Sequence, residues 1–431
     1  MLEFIKNRIY SFIPSLTRSD RDGLIKVGKG FCNTSVNTSV FRRSSIVSNK
    51  DFQFIAFYNK NGYIVLGKRK LDESKWKLKK LPIKGKIIDA HNVISLGLDG
   101  DGYLHMAYNM HNATLNYVRS LKPGSLNLTQ NIRMDGIEED KVTYPEFHTL
   151  PEGDLLFVYR SGKSGNGNMV LKRYFVKEKK WITIHKSLID GEGQRNAYWQ
   201  TYVDGHSVHV AWVWRESPDV LSNHDLCYAV SKDAGLTWQK SDGTPYKLPI
   251  TTETAETIIE IPQNSQLMNQ TGICSNKNKN PFIATYWQNE NDYAPQYRIV
   301  WHNGIKWNCL QMGTKKIPFD LRGRGTKMVP ISRPVIVTGE KNSCYVLFRD
   351  EERESKVSMA YTEDITNGKW EFRNLTKFKV DAWEPTIDWE LWKREEKLNI
   401  FVQSTHQKNG DNNRNKNKSS MIYVLEVQCN K

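Results

Sequence analysis

The stretch Ser231-Lys232-Asp233-Ala234-Gly235-Leu236-Thr237-Trp238 decides the fold. It fits the Asp-box pattern S-x-D-x-G-x-T-W, in which the Asp and Gly build a tight hairpin and the Trp packs between neighbouring sheets. Such a segment is structural and carries no chemistry. Working outward, the strand before it, VDGHSVHVAWVWR around Trp214, is one of a series. A polar turn followed by an alternating or apolar strand recurs around Phe57, Tyr108, Tyr159, Trp214, Trp287, Phe348 and Val402, in steps of 51, 51, 55, 73, 61 and 54 residues. A second marker runs in phase: a Trp closes a turn about 20 residues after the strand at Trp76, Trp181, Trp238, Trp307 and Trp370, and units two and seven lack it. Strand, hairpin, strand and Trp-bearing turn at this period is how a four-stranded propeller blade reads. Sustained helical periodicity is absent. The expectation is an all-β, seven-bladed β-propeller with four-stranded antiparallel blades, residues 24–431 forming one domain after an N-terminal extension over 1–23.

Composition narrows the class. The 431 residues carry 62 Lys+Arg against 47 Asp+Glu, a formal charge of +15. No run approaches the ~18 consecutive apolar residues of a membrane-spanning helix. With 13 Trp, 19 Tyr and 16 Phe, the chain is too aromatic to be disordered. Six cysteines without a CxxC make no disulfide framework. The apolar residues of 1–20 are broken by Asn7, Tyr10, Ser11 and Pro14, a poor signal-peptide core. The basic balance suits a polyanion such as nucleic acid, anionic lipid or acidic polysaccharide, or else is diffuse charge with no partner. Only Lys77-Leu78-Lys79-Lys80 and the tract from Asn412 to Lys418 form local clusters.

A propeller gathers loops over a central channel, so its functional residues should be polar groups scattered in sequence. Asp89 to Ser120 is the densest stretch. His91-Asn92 and His111-Asn112 sit at strand ends, whereas His105 lies mid-strand and reads as a packing residue. Tyr144 and Arg160, 16 residues apart on neighbouring strands, can face one cavity; His148 could equally be a strand residue. The run Arg195-Asn196-Ala197-Tyr198-Trp199-Gln200 opens the fourth unit. Arg333, Arg349 and Trp383-Glu384 are weaker candidates, of a type that more often pairs or packs. Gly162-Lys163-Ser164 lacks the earlier glycine and following helix of a phosphate loop, and Gly165-Asn166-Gly167-Asn168 is rich in turn formers rather than a dinucleotide fingerprint.

The run from His91 to Ser120, Tyr144 to Arg160 with its SGxGN loop, RNAYWQ and NHDLCYAVSKDAGLTW together resemble the BNR-repeat propeller polysaccharide lyases, the ulvan lyases and their relatives, over residues 40 to 425. The resemblance implies a propeller that cleaves an acidic polysaccharide at a uronic acid by β-elimination. It implies His91, His111, Tyr144 and Arg160 as the catalytic set. Asn92, Asn112, Arg195, Tyr198, Trp199, Arg333 and Arg349 are the expected substrate-binding residues. It also implies export, which the N-terminus does not reflect. A monomer is expected, with an acidic polysaccharide and not a nucleic acid as partner.

The chemistry suits these residue types independently. Elimination across C4–C5 removes a weakly acidic proton beside a carboxylate. An Arg spreads the developing charge, a His suits proton removal near neutral pH, and a Tyr hydroxyl can protonate the departing oxygen. Which of His91, His111 and Tyr144 abstracts and which donates stays open, and in a syn elimination Tyr144 could do both with the histidines holding the substrate. No catalytic cofactor is required. A structural zinc is the metal expectation: His224-x-x-Cys227 is a half-site, and Cys274 and His302 in the next unit would complete it, with His406 as a substitute. The other reading is that these cysteines are buried small hydrophobes.

Three further functions compete. A glycoside hydrolase, rhamnosidase- or sialidase-like, wants paired carboxylates, for which Glu146 and Glu384 are the candidates. A non-catalytic carbohydrate-binding propeller would use stacking aromatics such as Trp199, Trp212, Trp287 and Trp383. A WD-type interaction propeller is disfavoured by the absence of repeated GH…WD motifs.

Overall fold

The computed structural model describes residues 23–410 and 418–429. The N-terminal extension, apart from Gly23, and the Asn412 tract up to Asn417 lie outside the described residues. Among the described residues the regular secondary structure is mostly antiparallel strand, with five single-turn 3-10 helices and one α-helix, Trp389–Glu395, capped by the Asp388 carboxylate accepting from the Leu391 N–H at 3.1 Å.

The strands form up-and-down sheets in chain order. The first sheet is Ile46–Ser48, Phe52–Tyr58, Tyr63–Lys70 and Lys77–Lys84. The second has three strands, Ile94–Leu98, Leu104–Tyr108 and Tyr117–Arg119. Next, Val142–Thr149, Leu155–Lys163, Asn166–Phe175 and Lys180–Ile189 form one meander, and Asn196–Asp204, Ser207–Arg215, Asn223–Ser231 and Glu256–Ile259 another. A parallel bridge, Gly167 to Asn196, joins these two into one nine-stranded sheet, which also takes the short strand His111–Ala113. Two four-stranded meanders follow, starting at Gly272 and Val335. In the last sheet Ser419–Gln428 lies between Lys397–Gln403 and Leu24–Phe31, so the first described strand is hydrogen-bonded to the last.

The two sequence markers have a direct structural reading. In four units the Trp stands at the start of the outermost strand or just before it: Trp76 before Lys77, Trp181 in Lys180–Ile189, Trp307 opening Trp307–Gln311, Trp370 before Glu371. The two units without it, the second and seventh, are those whose own segment supplies no fourth strand. The Ser231–Trp238 hairpin is held as its sequence dictates. Asp233 accepts from the N–H groups of Leu236 and Thr237 and the Thr237 hydroxyl (3.1, 2.9 and 2.6 Å), while Ser231 Oγ accepts from the Gly235 N–H at 2.8 Å. Gly235 sits at φ +91°, a left-handed turn position. Trp238 is buried in the same core cluster as Leu171 and Trp212, and its indole N–H donates to the Gly235 carbonyl.

His105 is fully buried, bonded to Asp99 (3.0 Å) and Tyr117 (2.6 Å), which is the packing role expected of it. His148 is likewise a buried strand residue, 3.2 Å from Glu146.

Candidate functional site

Each sheet repeats one geometry: its first strand starts, and its second strand ends, at the same end of the sheet. Register pairs Thr143 with Arg160 and Asn196 with Arg215. Residues at this end converge with the connecting loops on a cavity of about 980 Å³, lined by segments spread from Ser35 to Gly410. His91, His111, Asn112, Tyr144, Arg160, Tyr198, Arg333, Arg349 and His406 all line it.

Asp89 organises the two histidines. In the turn before Ile94–Leu98 its Oδ1 accepts from the His91 backbone N–H (2.9 Å) and lies 2.8 Å from His91 Nδ1; its Oδ2 lies 2.7 Å from His111 Nδ1. Burial would raise the Asp89 pKa, but the two imidazoles outweigh it and hold the carboxyl well below the usual carboxylate range. An ionised carboxylate only accepts hydrogen bonds, so both Nδ1 atoms carry a hydrogen, and Nε2 is the ring nitrogen that Asp89 does not take up. The rings stack: His91 lies 5.1 Å from Phe41 and 4.2 Å from His111 between centroids. Asp89, His91 and His111 are the one group of three His, Cys, Asp or Glu side chains among the described residues whose donor atoms lie within 4.8 Å of one another.

Tyr144 sits at φ +59°, in a bulge of the strand Val142–Thr149 between Thr143 and Glu146 and just before Pro145. For a bulky side chain this conformation costs on the order of 1–2 kcal/mol, and its effect is to re-aim the side chain. The ring meets Phe41 at 5.3 Å, His91 at 5.9 Å and Tyr198 at 6.0 Å, and the Arg160 guanidinium lies 5.0 Å from its centroid. Burial, together with the nearby Tyr198, pushes its phenol pKa up.

Arg160 is 1% exposed. Its Nε donates to the Gly162 carbonyl at 3.1 Å and its Nη2 to Thr143 Oγ1 at 3.2 Å, while Nη1 is buried with no hydrogen-bond partner. Gly167 makes room for it, since a Cβ there would stand 2.9 Å from Arg160 Cγ and Cδ. Tyr198 meets Ser164 Oγ at 3.2 Å. Burial raises its pKa, but Arg215, Arg160 and the Ser164 bond outweigh burial and bring the phenol down to about 8. Seven Arg and Lys side chains line the cavity against three carboxylates, Glu351, Asp381 and Glu384, so it attracts an anion.

Other expectations need correction. Asn92 donates to the Lys86 carbonyl at 3.2 Å and lies outside the cavity lining. Arg195 is bound to Glu192 and Glu216 and is also outside it. Trp199 is buried in the sheet core, because strand alternation turns it away from the side Tyr198 faces. Arg333 and Arg349 do line the cavity but are occupied. Arg333 grips Glu384 with two bonds (2.7 and 2.6 Å), and Arg349 donates to the carbonyls of Val329 and Pro330.

The four residues expected to hold zinc do not converge. His224 is bonded to Glu216 (2.9 Å) and Asp225 (3.0 Å), and His302 packs on Trp307 at 5.2 Å. Cys227 and Cys274 face Thr257 and Thr338 in separate core clusters; burial pushes both thiols up, Cys274 to about 12, which keeps them protonated. These residues do not fit a zinc site.

Sequence reading missed Asp89, Phe41, Arg215 and the loop pair Lys163-Ser164, all of them in or directly beneath the cavity wall. A signal for Arg215 was present. It follows the repeat marker Trp214 just as Arg160 follows Tyr159 and Arg349 follows Phe348.

Fold and site together define an all-β protein built of repeated antiparallel sheets around a cationic, tyrosine- and histidine-lined cavity. The profile of the BNR repeat-containing family matches residues 52–314, and the chain belongs to that family. No curated protein sequence matches the chain. Among solved structures it is similar to the polysaccharide lyase Uly1, at 15% identity, with 90% of each chain covered and a TM-score of 0.65. It is also similar to a PL25 ulvan lyase, at 12% identity, covering 94% of this chain and 97% of that one, with a TM-score of 0.64. The same lyase in a second structure is bound to -[GlcA(1-4)Rha3S]- (TM-score 0.63, 12% identity, 94% and 97% covered). At these identities the likeness is one of fold: the chain has the propeller-like fold of those lyases.

Proposed function

We propose that this protein is a polysaccharide lyase, a monomeric seven-bladed propeller over residues 24–431 that cleaves a uronate-containing, ulvan-like polymer by β-elimination. Its partner is the acidic polysaccharide, not a nucleic acid. The observation that carries the reading is the meeting of Asp89-clamped histidines, a buried phenol and an unpartnered guanidinium nitrogen in one cationic cavity. Arg160, whose side chain forms part of the cavity wall, faces the uronate carboxylate and stabilises the charge that develops as the C5 proton leaves. A His91 or His111 Nε2 lone pair, set by the tautomer Asp89 imposes, accepts that proton. The C4–O bond breaks as C4=C5 forms, and Tyr144, kept protonated by burial, donates its proton to the departing oxygen.

The rival readings have less support. Of the two candidate hydrolytic carboxylates, Glu146 lies outside the cavity lining and Glu384 is tied up by Arg333 and the Val40 N–H. The tryptophans that would serve a binding propeller, Trp199, Trp212, Trp287 and Trp383, are buried and none lines the cavity. Incubation with a polymer of glucuronate and sulfated rhamnose, followed by ultraviolet absorbance of the unsaturated uronate, tests the proposal. New reducing ends without that absorbance would mean hydrolysis, and no new ends would mean no cleavage.

A further inference from the structure

A second cavity, of about 790 Å³, lies between the outer strands of the first sheet and the 124–127 loop of the second, and shares no residue with the first. Its wall carries Lys68, Arg69, Lys70, Lys75, Lys77 and Lys79 against a single acid, Glu73. Two of these cations are matched: Arg69 pairs with Glu426 at 2.7 Å and Lys70 with Glu73 at 2.9 Å. Lys68 donates to the Gly124 carbonyl at 2.9 Å, lies 3.7 Å over the Phe52 ring, and faces the charge of Lys77. Between the lysines runs an apolar floor of half-buried Trp76 and of Leu78, 40% exposed. Gly67 leaves room for this floor, since a Cβ there would stand 2.9 Å from Leu78 Cδ2 and 3.1 Å from the Trp76 ring.

We propose that this groove is a second, non-catalytic binding site for an acidic polysaccharide, holding one stretch of the polymer whose other stretch occupies the first cavity. The identity of the polymer rests on the uronate-cleaving reading above. Edge-strand lysines can serve only to repel other strands, and Lys77–Lys84 is an edge strand. Repulsion alone does not call for Lys68 and Lys70 to project into the same groove from the adjacent strand, nor for an apolar floor between the charges. Ammonium groups in excess of the carboxylates beside them create a local positive potential that a polyanion relieves, and a sugar ring has an apolar face to lay on Trp76 and Leu78. One polymer satisfying both cavities gains the effective concentration of a tethered ligand.

Electrophoresis of the full chain through a native gel containing the glucuronate–sulfated rhamnose polymer tests this, with Lys75→Glu/Lys77→Glu beside the parent. Both side chains are exposed, so the two proteins should melt alike. The parent should be retarded and the variant bind at least fivefold more weakly, with a shallower salt dependence. On the polymer kcat/KM should fall by a similar factor, while on a tetrasaccharide of the same repeat it should not change. Equal retardation of parent and variant, or no retardation of the parent, overturns the proposal. So does tighter, lysine-dependent binding of a single-stranded RNA homopolymer at the same ionic strength. A parent retarded through these lysines that releases no unsaturated product would leave this site standing and remove the lyase reading instead.

Discussion

Arg160 and Tyr144 are the side chains on which the chemistry can be tested one atom group at a time. Arg160→Ala should lower the rate by about 10²–10³ with the fold intact, because a single charge-stabilising donor is removed; a steady-state assay beside a thermal melt checks both halves. Tyr144→Phe should be nearly inactive yet bind the polymer, since only the hydroxyl goes. Tyr198 makes a separate claim: its phenol, drawn down to about 8 by Arg215 and Arg160 against the effect of burial, should appear as a phenolate step in an ultraviolet titration near that pH. Tyr198→Phe should delete the step. How much of this was legible in the sequence varied with the kind of residue. His91, His111, Tyr144 and Arg160 were marked out by the resemblance to the BNR-repeat lyases, since their strand-end positions alone left a packing role as open as a functional one; the structure brings all four to one cavity wall. Asp89 was not marked out, because a carboxylate two residues before a histidine is ordinary until folding brings His111 to its other oxygen. Trp199 misled for the opposite reason: in RNAYWQ adjacent residues face opposite sides, and only one of the pair can reach the cavity.

At the scale of the strand and hairpin, the local signals were strong and the long-range ones weak. Ser231-x-Asp233-x-Gly235-x-Thr237-Trp238 specifies its own turn through hydrogen bonds within eight residues, so its conformation could be read directly. Asp233→Ala removes the acceptor for four of them, from the Ser231 and Thr237 hydroxyls and the Leu236 and Thr237 N–H groups, and should destabilise the protein by about 1–3 kcal/mol in a denaturant titration. The bulge at Tyr144 was not legible, since register depends on the facing strand. Gly167 illustrates how one strand serves another's chemistry. Gly167→Ala sets a methyl group 2.9 Å from Arg160, so it should cost activity well out of proportion to stability. Comparing kcat with the unfolding midpoint of that variant checks this.

Across the whole molecule, charge and burial set the pH response. His105, His148 and His209 are buried and their pKa values lowered by desolvation, His209 to about 4. Below about pH 6.5 the unfolded chain takes up protons that these folded imidazoles refuse, so stability falls as the pH drops from there, by up to about 3 kcal/mol for His209 alone. Glu146 works the other way. Burial lifts it to about 7, so the folded state holds a proton that the unfolded state releases above about 4.5, and its contribution is lost as pH rises through that window. The histidines outnumber it, so thermal melts should show a net fall in stability from pH 6.5 to 4.5. Glu146→Gln, which fixes the protonated form, should make that fall steeper. The succession of antiparallel sheets was legible from turns and tryptophans; the second, three-stranded sheet and the last sheet, which lack a fourth strand of their own, are those whose segments lack the Trp. That the last sheet borrows its outer strand from the other end of the chain was not, because nothing in a local pattern names a partner 401 residues away. This pairing sets an order of events during synthesis. Leu24–Phe31 is made about 400 residues before its partner Ser419–Gln428, and at ~5–20 residues per second the wait is roughly 20–80 s. Throughout that interval the strand lacks its native partner, so a nascent chain of this protein is exposed to chaperones, and to mispairing with its neighbours on a polysome, through Leu24–Phe31.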